Sequence, residues 1–235
     1  LHQLQAGKTS AQLLVTTVNA ALQRVQTPFR IRETVRELKP GTRIGYESLT
    51  ALLQRQGYSR TDTVVDSGEF AVRGSIVDIF PSGLEQGLRL DFFGDELESL
   101  RLFDPNTQRT TDAIDGHLLL PASEALLDEE AIKRFRGRYR EQFGAAGTGD
   151  PLYQAVSDGR RLAGMEHWLP LFEERLVTLF DHLSTDDLVV IDANAVHAGE
   201  ERLDDIQDYF TQRKDTAGQA AGSYRPLTPE ALYLR

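Results

Sequence analysis

The chain contains no cysteine, which removes a disulfide framework and thiolate chemistry from consideration and fits a cytosolic protein. It also lacks any long apolar run. Its apolar stretches extend for only a few residues, far short of what a membrane span needs. The first residues, Leu1-His2-Gln3-Leu4, hold neither a basic segment nor an apolar one, so no signal peptide is expected, and no Met opens the chain, so a fragment of a longer protein is expected. Positive charge is in deficit: 26 Lys and Arg stand against 36 Asp and Glu, a net charge of −10. Such a chain, taken whole, is repelled by DNA. The five histidines, at 2, 117, 167, 182 and 197, are too scattered for a metal-ligand spacing, and no Gly-x-Ser-x-Gly nucleophile signal is present. Gly7-Lys8-Thr9 ends like a phosphate loop, but the position that needs the first glycine holds His2, so a surface turn is the better reading.

What remains is a chain of 235 residues, 40% hydrophobic and 26% charged, enough for one large or two small domains with a real core. Residues 68–109 carry the clearest pattern. An apolar run at 75–80 with a single acid, Asp78, leads to the turn Pro81-Ser82-Gly83, and 88–93 alternates Leu88, Leu90 and Phe92 with Arg89, Asp91 and Phe93. Period-2 alternation predicts a half-buried antiparallel strand whose outward set is Arg89, Asp91 and Phe93. An outward Phe beside an outward Arg suits a docking surface. An ordinary hairpin with one stray edge aromatic is the competing reading.

Before this region, 13–18 reads as a buried strand, 19–25 as a short helix interrupted at Pro28, and 46–56 as an amphipathic helix stopped by Gly57. Strands are expected at 63–66, 69–72, 75–80, 88–93, 96–103 and 117–120, an antiparallel α+β arrangement. The remainder reads as mainly helical: helices at 129–143, 152–161 and 200–213, a loop at 145–150, a buried parallel strand at 188–191 and a flexible linker at 217–223. Lys133, Arg134, Arg136, Arg138 and Arg140, interleaved with Phe135 and Tyr139, could track phosphates, but acids early and bases late in the segment favour a solvated helix face. Gly164-Met165-Glu166-His167-Trp168 could hold an acid/base pair, but reads better as a helix start that packs Trp168, Leu169 and Leu171 inward.

Five ordered blocks, RGSIVDIFP (73–81), RLDFFGDE (89–96), LLPA (119–122), GMEHW (164–168) and LVVID (188–192), resemble the UvrB-like module of bacterial nucleotide excision repair. The version carried by transcription-repair coupling factors is the most similar. The resemblance implies a mixed α/β and α+β chain: the end of domain 1a at 1–34, an inserted antiparallel α+β domain 2 at 35–121, and domain 1b at 122–235, with 1a and 1b as remnants of a RecA-like helicase domain. It implies recruitment of the damage-recognition protein UvrA through Arg73, Arg89 and Phe93, with Glu69 and Asp91 as rim contacts. In the family, ATP, magnesium, double-stranded DNA and stalled RNA polymerase are handled by other domains of a bacterial cytoplasmic translocase.

Asp192 stands where related ATPases carry a magnesium-associated Asp, but Ala193-Asn194-Ala195 follows in place of the Glu-Ser-His of UvrB. Alanine cannot activate water, so this Walker B-like element is degenerate and no enzyme activity or cofactor is expected of this chain. A piece of UvrB itself, an ATP-dependent DNA-loading protein, is the alternative. The lost element and the short stretch between Pro121 and Gly164 argue against it. A stand-alone nucleotide-binding enzyme is a third reading, disfavoured by the missing phosphate loop.

Overall fold

The computed structural model describes residues 1, 13–144, 150–216 and 224–234. Gly7-Lys8-Thr9, most of the loop expected at 145–150 and the linker expected at 217–223 lie outside the described residues. The strands, in chain order, are β1 (Val25–Gln26), β2 (Arg36–Leu38), β3 (Ser59–Arg60), β4 (Glu69–Arg73), β5 (Ile76–Ile79), β6 (Gly87–Phe93), β7 (Glu96–Phe103), β8 (Thr110–Ala113), β9 (His117–Leu119) and β10 (Leu176–Val177). The chain forms two compact units, one of Thr34–Asp128 and one of Leu1–Glu33 with Glu129–Arg235.

In the first unit, β3 to β8 form a six-stranded sheet in sequence order, antiparallel except for the β3–β4 pair. The alternation in β4 to β7 sends Phe70, Val77, Ile79, Leu88, Leu90, Phe92, Leu97 and Leu100 to one face. There they are buried with Leu49 and Leu53 of the Tyr46–Arg55 helix, and with Leu38, Tyr58 and Leu119. Leu49 and Leu53 are four residues apart, so both sit on one helix face. Two hairpins close with two-residue loops that begin at Gly74 (φ 62) and Gly94 (φ 61), and both loops lie at the same end of the sheet. A positive φ at the first loop residue is what a primed hairpin turn demands, and glycine meets it without a Cβ clash. On the other face, Val64, Ala71 and Phe103 make a small apolar cluster, with Phe80 against it. Phe103 lies flat over Gly87, its register partner; a Cβ there would stand 2.2 Å from the ring.

One sequence expectation in this unit needs correction, and three of its strands were not expected. Residues 63–66 are irregular rather than a strand, because the backbone N–H groups of Val65 and Asp66 donate to the Glu69 carboxylate at 2.8 and 2.9 Å instead of to a ladder. The short β3, at 59–60 and not expected, is the segment that pairs with β4. The edge strand β8 was not expected, since Thr110-Thr111-Asp112-Ala113 has no apolar alternation, and β2 was likewise unforeseen.

The second unit is mainly helical. Helix Glu129–Phe143 buries Ala131, Phe135 and Tyr139 at helical spacing, with Glu129 and Glu130 in its first turn and Arg140 in its last, the arrangement that suits the helix dipole. Asp150 caps helix Pro151–Ser157 by accepting from the N–H groups of Leu152 and Tyr153 at 3.0 and 3.1 Å, and it also accepts the Tyr139 hydroxyl. Met165, Trp168, Leu169, Leu171 and Phe172 are buried, as the inward reading of 164–168 requires.

Two apolar runs in this unit depart from expectation. Residues 188–191 form no strand, and Leu188, Val189, Val190 and Ile191 are all exposed. Leu13, Leu14 and Val15 are exposed too, and a short helix, Val18–Ala21, follows under a Thr17 cap. Strand-prone composition becomes strand only where a neighbour supplies a ladder, and among the described residues none pairs with either run. Among the described residues of this unit, the only sheet is the antiparallel pair β1–β10.

Two glycines give opposite expectations. Gly87→Ala should destabilise the chain by about 1–3 kcal/mol, because Phe103 must leave its seat. Gly137→Ala, in the middle of helix Glu129–Phe143 with open space around its Cβ, should stabilise by about 0.5–1 kcal/mol. Urea denaturation of both variants checks the pair.

Candidate docking site

Asp78 is the one acid in β5, and register places it between Ala71 of β4 and Arg89 of β6, on the face away from the main core. Its side chain is 1% exposed. A carboxylate this buried needs charged partners, and it has two. Arg89 grips it through both edges, Nε to Oδ1 at 2.8 Å and Nη2 to Oδ2 at 3.0 Å. Arg73, at the end of β4, donates Nη2 to Oδ2.

The two arginines are not equivalent. Arg89 Nη1 also donates to the Thr110 hydroxyl at 2.9 Å and to the Gln108 carbonyl at 3.3 Å, and the guanidinium stacks 5.0 Å above the Phe103 ring. Those bonds occupy all but one of its donors. Hydrogen bonding to Asp78 raises its pKa above the usual arginine value; burial lowers it, and the Asp78 charge raises it further. Arg73 spends one donor on Asp78 and remains 45% exposed, against 18% for Arg89. Its planar fork is therefore the one open to a partner's carboxylate.

Gln108 is the only described non-glycine residue with positive φ (60°). That conformation carries a steric cost for a side chain with a Cβ. Its amide holds the carbonyls of Val64 and Pro105 at 2.8 and 2.6 Å, which fixes the turn that hands its own carbonyl to Arg89.

Phe93 ends β6 immediately before Gly94, with 79% of its surface exposed. Asp91, two residues earlier, lies opposite Ile76 and accepts the Ser75 hydroxyl at 3.3 Å. Arg73, Asp91 and Phe93 thus share the end of the sheet that carries the two glycine turns. Glu69 starts β4, about 13 Å along the strand from Arg73, and its carboxylate is occupied by the loop N–H groups described above.

The other candidate sites separate into individual structural roles. Asp192 is exposed on a loop, accepting from the Asn194 N–H at 2.9 Å ahead of helix Ala195–Thr216, and is not at a strand end. Glu166 pairs with Arg161 at 3.2 Å, while His167 contacts the Tyr224 hydroxyl at 3.3 Å. In the basic segment, Arg138 donates to the carbonyls of Pro170, Glu173 and Glu174, and Arg134 to that of Phe172. Those carbonyls lie in and just after helix Leu169–Phe172, at the C-terminal end where carbonyls run out of intrahelical donors. Two of the five cations are therefore structural. Asp78, Gln108 and Thr110 were missed in the sequence. Only the lone acid within an apolar strand signalled any of them.

The buried carboxylate orders the stability of three variants. Asp78→Ala leaves two adjacent guanidiniums without their counter-ion and should cost on the order of 2–4 kcal/mol, and Arg89→Ala a similar amount. Arg73→Ala, at a half-exposed pair, should cost less than about 1 kcal/mol. Equilibrium urea unfolding of the three checks this order.

The UvrB interaction domain family matches residues 37–124, which include the whole six-stranded sheet. The chain is 38% identical over 237 residues to the transcription-repair-coupling factor of Haemophilus influenzae, covering all of this chain and 20% of that protein. It is 36% identical over 225 residues to that of Escherichia coli, covering 95% of this chain and 19% of that protein. UvrABC system protein B of Thermotoga petrophila matches over 105 residues at 38% identity, 45% of this chain. The chain spans about a fifth of the length of the coupling factors it matches. It belongs to the transcription-repair coupling factor family as a UvrB-like module, with a UvrB interaction domain at 37–124.

Proposed function

We propose that this module recruits UvrA, and so links an RNA polymerase stalled on damaged DNA to nucleotide excision repair. The observation that carries the reading is the exposed Phe93 at the sheet end that also presents the half-exposed Arg73 fork, within the UvrB interaction domain. Phe93 serves as a rigid apolar anchor, Arg73 as a bidentate donor, and Arg89 chiefly as the group that holds Asp78 and so orients Arg73. Asp91 acts at the rim. Glu69 acts only by shaping its loop. Polymerase, double-stranded DNA, ATP and magnesium belong to other parts of a longer bacterial cytoplasmic protein, and the helical unit is a degenerate remnant of a RecA-like domain. The match to UvrABC system protein B favours one alternative, a piece of UvrB, which ATP turnover would reveal.

Phe93→Ala and Arg73→Ala should each weaken UvrA binding by about 1–3 kcal/mol with the fold intact. Calorimetric titration of UvrA checks this, and wild-type affinity in the double variant would remove the surface from the interface. The chain should not turn over ATP, since Ala193 follows Asp192 where a catalytic carboxylate is needed. Magnesium-dependent hydrolysis that disappears in Asp192→Asn would revive the UvrB reading. Duplex DNA should bind weakly, and only at low salt, through Lys133, Arg136 and Arg140, because the −10 background opposes it.

A further inference from the structure

Arg101 lies directly opposite Arg89 in the β6–β7 ladder. Residues paired across two strands point to the same face with Cβ atoms roughly 5 Å apart, and like charges so placed are destabilising. Reading across that face, Arg73 ends β4, Asp78 sits on β5, Arg89 on β6 and Arg101 on β7. Asp78 is committed to Arg73 and Arg89, and Asp91, the other acid near this end of the face, lies opposite Ser99 and accepts the Ser75 hydroxyl. β5 and β7 are separated by one strand, about 10 Å, and the buried Asp78 makes its ion pairs with Arg73 and Arg89 and not with Arg101. Arg101 is exposed and has no hydrogen-bond or ion-pair partner among the described residues. A like-charge pair set directly across two strands is a fold-level conflict of the kind that functional sites retain.

We infer that Arg101 is the third arginine of the docking strip and takes a carboxylate on an acidic protein surface, the same partner surface that receives Phe93 and Arg73. The inference rests on the UvrA reading above and extends its contact surface from β4–β6 onto β7. An acidic protein fits better than a nucleic acid for two reasons. The strip is short and ends on an exposed apolar anchor, Phe93, which a protein pocket can bury. The chain's overall negative charge also repels a long polyanion more than it repels a local acidic patch.

The test uses the full 235-residue chain with Arg101→Gln, Arg101→Glu and Phe93→Ala. UvrA affinity, affinity for a duplex DNA oligonucleotide and the thermal midpoint are measured for each. Arg101→Gln should weaken UvrA binding about 5- to 30-fold and Arg101→Glu more. The thermal midpoint of Arg101→Gln should stay level or rise, since a cross-strand repulsion has been removed. That combination separates a binding role from a structural one, which would lower stability and affinity together and overturn the inference. Wild-type UvrA affinity in both Arg101 variants, with binding lost in Phe93→Ala, would end the strip at Arg89 and leave the UvrA reading standing. Wild-type affinity in Phe93→Ala as well would remove the whole surface. Loss of DNA binding instead of UvrA binding in the Arg101 variants would make the contact a nucleic-acid one and overturn the inference.

Discussion

The candidate surface depends on one buried ion cluster, Asp78 held by Arg73 and Arg89. A carboxylate at 1% exposure is tolerable only while its charge is matched and its oxygens are hydrogen-bonded. Here both oxygens are engaged, one by Arg89 alone and the other by both arginines. The benefit is orientation more than stability. A long arginine side chain loses several rotors when it binds a partner, and holding it in place beforehand removes part of that entropic cost.

The rest of the sheet follows from that need. Phe103 lies over Gly87 and places an aromatic face against Arg89, so the guanidinium is held on one side by the ring and in its plane by its hydrogen bonds. The strained Gln108 and the edge strand β8 supply the remaining acceptors for Arg89. The opposite face, packed on the Tyr46–Arg55 helix, keeps the strands in the register on which every one of these contacts depends. Two glycine turns then set Arg73 and Phe93 at one end of the sheet, where a partner can reach them.

The outward alternation of Arg89, Asp91 and Phe93 was legible in the sequence, because period 2 fixes faces without knowledge of pairing. So were helix Tyr46–Arg55 and helix Glu129–Phe143, which carry apolar residues at helical spacing with charges suited to the dipole. The cluster on Asp78 was not legible. β5 and β6 are joined by seven residues rather than a two-residue turn, so their register, and with it the Asp78–Arg89 pairing, is set by packing. β8 escaped notice because an exposed polar edge strand has no periodic signal. The exposed run at 188–191 erred the other way, since strand-prone composition says nothing about whether a pairing strand exists.

The central claim is that the sheet end carrying Arg73 and Phe93 meets UvrA, and hydrogen exchange of this chain with and without UvrA locates that contact directly. The account predicts slowed exchange at the two hairpins, around residues 71–77 and 90–98, with helix Ala195–Thr216 unchanged. Protection confined to helix Glu129–Phe143 or helix Ala195–Thr216, with the hairpins exchanging as in the free chain, would contradict it.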